Sequence, residues 1–335
     1  MSRSVNSIRL VIGTFVPSSV VLLALTAIGC GDDVSEDSEQ ISVSSAGQDL
    51  SDSPNGKNPD GVPPDFVAVP GGFVHPSCVI ELAPDEYVDG DEIVGLEDHH
   101  PRKKIRDCQY PHYDQRGRMR ERERDIGLAP PAINGWIESA WTIEPTTWMY
   151  SNFSVPNKPL QSGALVYLFP GLQDGNRILQ PVLRSWKGKW TIACWNVDSS
   201  NNYVKSRNIA AAAGDRVLGM IAGSSCNSSG VCRSWEVFAE NLTSGANTDL
   251  DNIQGLTRAF SDVQGGALEA YYLDSCRELP RSYGIEFNTR INGPNTNVYW
   301  PEWNYWVGSG NPSCAYGGYN TGSPNKARLL WWPND

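Results

Sequence analysis

From residue 135 onward the apolar positions of this chain fall into short runs parted by turn residues, and no stretch keeps a helical period. The clearest runs are Ala164–Phe169, Ile178–Leu183 and Thr191–Trp195, separated by Pro-Gly, Asp-Gly and Lys-Gly turns. Further strands are expected at Trp136–Ile143, Thr147–Phe153, Tyr203–Ile209, Arg216–Gly223, Val231–Ala239, Leu256–Phe260 and Ala267–Leu273. Gly284–Ile291, Asn297–Trp306 and Arg328–Trp332 follow near the end. Ala210–Ala213 favours helix, but Gly214-Asp215 stops it at once. Strands in series with turns between them predict an all-β domain over 135–335, a two-sheet antiparallel β-sandwich or jelly roll.

Period-two alternation assigns faces within these runs. Ile178, Gln180 and Val182 share one side of their strand, and Ala267, Glu269, Tyr271 and Leu273 share one side of theirs. An amide or a carboxylate set among apolar neighbours either fills a solvent face or is aimed into a cleft. Gln180 and Glu269 are therefore the candidate functional pair.

The first 134 residues read differently. Arg3 and Arg9 precede an apolar run from Leu10 to Ile28, and Ala27-Ile28-Gly29-Cys30 has the form of a lipobox. Residues 1–30 are thus expected to be a signal peptide whose Cys30 is lipidated, which implies export. The expected destination is the cell envelope, at the outer membrane or cell surface. Residues 31–65 are rich in Ser, Asp, Gly and Pro, with Lys57 the sole cation, and read as a disordered acidic tether. Residues 66–134 read as an irregular N-terminal segment in which Phe66–Val74 and Cys78–Leu82 make short strands. Within it, RGRMRERERD reads as a short solvated helix.

Composition narrows the function classes. The chain of 335 residues carries a formal net charge of -11, which argues against nucleic acid as a partner. Membrane contact is expected through the lipid anchor alone. Setting Cys30 aside, Cys226 and Cys232 flank a Gly-containing loop and are expected to pair. Cys78 with Cys108 and Cys276 with Cys314 are the further pairings expected, among the fifteen connectivities open to six cysteines once Cys194 is set aside as a buried thiol. All four histidines (His75, His99, His100 and His112) precede residue 135, in a spacing that matches no metal motif, so neither a metal nor a cofactor is expected. The lack of a later histidine also argues against cysteine or serine nucleophiles in the sandwich.

The run SGALVYLFPGLQDGNRILQPVLRSW, with GALEAYYLDSCRELP further on, resembles a group of secreted microbial and fungal proteins. More distantly it is similar to the glutamic peptidases (eqolisins), which are two-sheet concanavalin A-like sandwiches. The resemblance spans Gly135 to Pro280. It implies a catalytic Gln in an ILQ tripeptide, here Ile178-Leu179-Gln180, and a catalytic Glu, here Glu269 in LEAY. A shift of several residues selects Asp274 instead. Phe169 and Gln173 stand where the family has a Trp and an Asp beside the site.

Two functions then compete. In the first, Glu269 exchanges protons with water and the leaving amine, while the Gln180 amide stabilises the oxyanion formed on a polypeptide substrate. In the second, a non-catalytic sandwich binds a glycan, with rings such as Trp195, Tyr271 or Trp303 stacking on sugar faces. A glycosidase would need a second carboxylate facing Glu269; Asp198 and Glu236 are the candidates.

Overall fold

Alternating faces that are both apolar predict strands buried on both sides, and the computed structural model bears this out in the central sheet. The structure describes residues 58–333 apart from 115, 121–135, 176, 199–201, 256–257, 309–311 and 323–324. The leader, Cys30 and most of the acidic tether therefore lie outside the described residues.

The N-terminal segment contributes β1 (Val67–Val69), β2 (Gly72–Val74), β3 (Val79–Glu81), β4 (Glu86–Asp89), β5 (Glu92–Gly95) and β6 (Pro101–Lys104). It is less irregular than its composition implies. Arg116–Arg120, the described part of the expected charged helix, is a turn and an isolated bridge at Met119 instead. Next come β7 (Trp136–Thr146), β8 (Trp148–Ser154), β9 (Leu165–Asp174), β10 (Arg177–Trp186), β11 (Lys189–Asp198), β12 (Tyr203–Lys205) and β13 (Ile209–Ala211). The remainder are β14 (Arg216–Ser224), β15 (Ser234–Asn241), β16 (Ala246–Ile253), β17 (Phe260–Tyr271), β18 (Ile285–Asn292), β19 (Asn304–Val307), β20 (Gly317–Thr321) and β21 (Lys326–Leu330).

Two large sheets form the sandwich. One runs β19-β7-β17-β9-β10-β11-β12-β3, with β13 also on β11; the other runs β16-β15-β14-β8-β18-β21-β20. Pairing is antiparallel except between β3 and β12. Between the sheets lie Leu168, Leu183 and Ile192 from one and Val217, Val237 and Phe287 from the other, all fully buried. Each such side chain contributes about 1.5–3 kcal/mol by leaving water.

Several expected elements changed in detail. Leu256–Phe260 and Ala267–Leu273 were expected apart, yet Phe260–Tyr271 is one strand. Gly265-Gly266 does not turn the chain; it shifts the register against β7 and β9. A Cβ on Gly266 would sit 2.2 Å from Phe287 Cδ2, so glycine lets the opposite sheet approach. Tyr203–Ile209 splits into β12 and β13, Asn297–Trp306 shrinks to β19, and β16 was not expected at all. Disulfides join Cys78–Cys108, Cys226–Cys232 and Cys276–Cys314, and Cys194 is free and buried.

Both sheets have an outer face, and they differ. On the larger sheet Tyr167, Phe169, Ile178, Val182, Trp195, Ala267 and Tyr271 point away from the sandwich core, yet all are buried. The N-terminal segment covers them, packing Val62, Phe66, Val69, Phe73 and Val74 onto that face. The cover is fixed by the β3–β12 pairing and by the ion pair of buried Lys205 with Glu81.

Candidate functional site

Pro170 and Pro181 stand at the centre of the larger sheet, where a residue lacking an N–H must interrupt the ladder. The β9–β10 ladder joins Arg177–Leu179 to Leu172–Asp174 and Leu183–Ser185 to Val166–Leu168, with no pairs between. Both prolines face the second sheet, where a Cβ on Gly219 would lie 2.5 Å from Pro181 Cγ and 3.8 Å from Pro170 Cγ. Gln180 borders this gap on the outer face. It is 1% exposed, and neither its Oε1 nor its Nε2 has a hydrogen-bond partner among the described residues.

Glu269 lies on the same face of β17 and is wholly buried. Its Oε1 accepts from the Tyr271 hydroxyl and, at 2.9 Å, from the backbone N–H of Gly71 in the β1–β2 turn. Its Oε2 has no partner among the described residues. The Arg120 guanidinium donates to the Gly71 carbonyl and so bolts the same turn in place. Gly72 makes that turn feasible: its φ is +148°, and a Cβ there would come within 2.1 Å of the Tyr113 carbonyl oxygen. Burial pushes the Glu269 carboxyl up to about 7, against the opposing pull of the Tyr271 and Gly71 hydrogen bonds and of Arg120.

The register sets the distance between the two. Glu269 pairs with Tyr167, and Tyr167 with Arg184. Gln180 therefore lies four residues along β10 from the line through Glu269, on the order of 13 Å at ~3.3 Å per residue, and two strands away. Gln264 pairs with Gly171, the residue that the same register sets opposite Gln180. Gln264 is also buried, and both its amide atoms lack partners among the described residues. The structure thus brings Gln180 level with a second glutamine and does not bring it to Glu269.

The remaining expected residues are placed as follows. Phe169 meets Trp136 edge-on at 5.6 Å, and Gln173 donates to the Gly175 carbonyl at 3.2 Å. Asp274 is exposed past the end of β17. Trp195, Tyr271 and Trp303 are 3%, 1% and 4% exposed, which corrects the expectation that they offer stacking surfaces. The cover hides the first two, and Trp303 packs against Gly265. Asp198 is paired with Arg177 at 2.9 Å, and Glu236 belongs to the other sheet, so neither faces Glu269. Sequence reasoning missed Glu138, buried on β7 between β17 and β19, where it accepts from the Gly317 N–H at 3.1 Å. Burial raises its carboxyl to about 9. A glutamate within the apolar run Trp136–Ile143 was the available signal.

Among the described residues, Cys78, Cys108 and His112 gather as one cluster of potential ligands. The two sulfurs are joined to each other and offer no thiolate, so the cluster does not suit a metal.

No family model matches the chain, and no curated protein matches it. Solved structures give partial likenesses. Scytalido-glutamic peptidase with a transition state analog inhibitor is 15% identical, covering 59% of this chain and 98% of that one at a TM-score of 0.45. SCP-B, a member of the eqolisin family in complex with the tripeptide Ala-Ile-His, is 13% identical over 59% and 98%, at 0.42. Aspergilloglutamic peptidase from Aspergillus niger is 14% identical over 50% and 98%, at 0.37.

Proposed function

We propose that this chain is an exported, lipid-anchored β-sandwich that binds a ligand without catalysis, and that its buried Glu269 serves the structure rather than acting with Gln180. The observation that carries this reading is the register. Both residues sit in one hydrogen-bonded sheet, four residues out of line, so lifting the cover would expose them without bringing them together. The Gly71 N–H then gives Glu269 a structural task, anchoring the covering turn. Export and anchoring rest on the leader, Cys30 and the acidic tether, and the disulfides fit an oxidising compartment.

A glutamic-type peptidase is the second reading. It draws support from the Glu269 carboxyl, which at about 7 is suited to general acid–base work, and from the vacant Oε2. The full chain in detergent, incubated with unfolded casein across roughly pH 3 to 7 beside Glu269→Gln, separates the two. Intact casein throughout is the expected result. Cleavage by the wild type that disappears in a folded Glu269→Gln protein would establish the peptidase.

A further inference from the structure

The outer face of the smaller sheet has no cover among the described residues, and its alternation is of an unusual kind. Trp148, Tyr150 and Asn152 point outward from β8, while Met149, Ser151 and Phe153 are buried. Cross-strand pairing lays Phe238, Met220, Tyr150 and Arg290 in one half-buried row over β15, β14, β8 and β18. Trp148 stacks on Tyr150 at 5.8 Å and 17°. The Arg290 guanidinium lies 4.4 Å from the Tyr150 ring centre and 5.5 Å from that of Trp300. Two amides lock the rings in place: Asn152 donates to the Tyr150 hydroxyl at 3.0 Å, and Trp300 Nε1 donates to Asn288 Oδ1 at 2.8 Å.

A groove of about 350 Å³ opens beside this platform, lined by Asn152, Ser154, Arg216, Glu286, Asn288 and Lys326. That volume falls in the range of small-ligand sites, about 300–1,000 Å³. Glu286 is satisfied within the wall, accepting from Lys326 at 3.0 Å and from Thr321 at 2.9 Å. Arg216 at the groove and Arg290 beside it have no carboxylate partner in the wall. Arg290 Nε and Asn152 Oδ1 are hidden from solvent and without hydrogen-bond partners among the described residues. Fixed rings next to planar amides suit the alternating apolar faces and hydroxyl edges of a sugar. An excess of guanidinium in a chain of net charge -11 suits a carboxylate, which Arg grips in bidentate fashion.

We infer that this groove and its ring platform form a binding site for a saccharide bearing carboxylate groups, such as a uronic acid chain. The inference rests on the non-catalytic reading above and names the ligand class of that protein. Trp148 and Trp300 stack on the sugar rings with the faces that Tyr150 and Arg290 leave open, Ser154 and Asn288 meet hydroxyls, and Arg216 with the outer nitrogens of Arg290 holds the carboxylate.

The test titrates the full chain in detergent with a galacturonic acid hexamer and with its neutral galactose counterpart, following tryptophan fluorescence. The acidic hexamer is expected to bind at least tenfold tighter than the neutral one, and more weakly as salt rises. Tyr150→Ala and Arg290→Gln should each weaken it at least tenfold, while Trp306→Ala, an exposed ring on β19 of the other sheet, should leave it unchanged. If Tyr150→Ala fails to fold, Arg290→Gln and the exposed Arg216→Gln carry the test. Equal affinity for both hexamers, no binding, or binding indifferent to these variants would overturn the inference. Casein digestion on the same preparations separates the two failures. Absent binding with intact casein removes the saccharide site alone, whereas Glu269-dependent cleavage removes the non-catalytic reading beneath it.

Discussion

The two outer faces of this sandwich carry similar residue types and meet opposite fates. The larger sheet turns Tyr167, Phe169, Trp195 and Tyr271 outward, and the smaller one turns out Trp148, Tyr150, Met220 and Phe238. The first set is sealed by the N-terminal segment, and the second is left half-exposed. Burial, rather than residue type, decides what the polar groups on each face can do. Glu269 under the cover is held by Gly71 and Tyr271, and its proton affinity rises. Asn152 and Arg290 on the open face stay beside a groove that a solute can enter.

The comparison breaks most readily at Phe73, which is 1% exposed and meets Tyr271 edge-on at 5.2 Å. Phe73→Ala should cost about 3–5 kcal/mol in denaturant melts and raise hydrogen exchange along β17. A loss under ~1 kcal/mol would mean that the cover is not part of the core. A smaller effect concerns pH. A carboxyl raised to about 7 in the fold keeps its proton where the unfolded chain, near 4.5, has lost it. The Glu269 contribution to stability therefore falls as pH rises from about 4.5 to about 7, by on the order of 3 kcal/mol, and levels off above, where Glu138 continues the decline to about 9. Glu269→Gln keeps an acceptor for the Gly71 N–H and carries no charge, so its Tm should decline less over that window. Unchanged pH dependence would assign the titration to another group, with Glu138 the first to examine. The smallest effect should come from the open face, where Met220→Ser is expected to shift stability by less than ~1 kcal/mol.

Much of the sandwich was legible because its strands are short, apolar and marked by Gly and Pro. The runs at Ala164, Ile178 and Thr191 became β9, β10 and β11, each extended beyond its apolar centre by polar residues such as Asp174, Arg177 and Asp198. Strand β16 escaped because ANTDLDNI buries only Thr248, Leu250 and Ile253 among Asn and Asp. Alternation did assign Gln180 and Glu269 to one face. It says nothing about how far along the sheet two strands are shifted, since every slip of two residues preserves the pattern. The Gly265-Gly266 irregularity, which reads as a turn, moves that shift further. The cover was illegible for another reason. Val67-Ala68-Val69 and Gly72-Phe73-Val74 read as strands, but nothing in them names the distant face they bury.

The parallel strand β3 sets the order in which this molecule can be assembled. Its partner β12 lies far along the chain, with Lys205 and Glu81 separated by 124 positions. A ribosome delivers Val67, Phe73 and Val79 long before Tyr203 exists to receive them. Contacts of such span close late, and their apolar surface waits exposed meanwhile. The covering segment is the first part of the fold to be delivered and among the last to dock. Slow synthesis or crowding should therefore harm the yield of this protein through that segment before any strand of the sandwich is at risk.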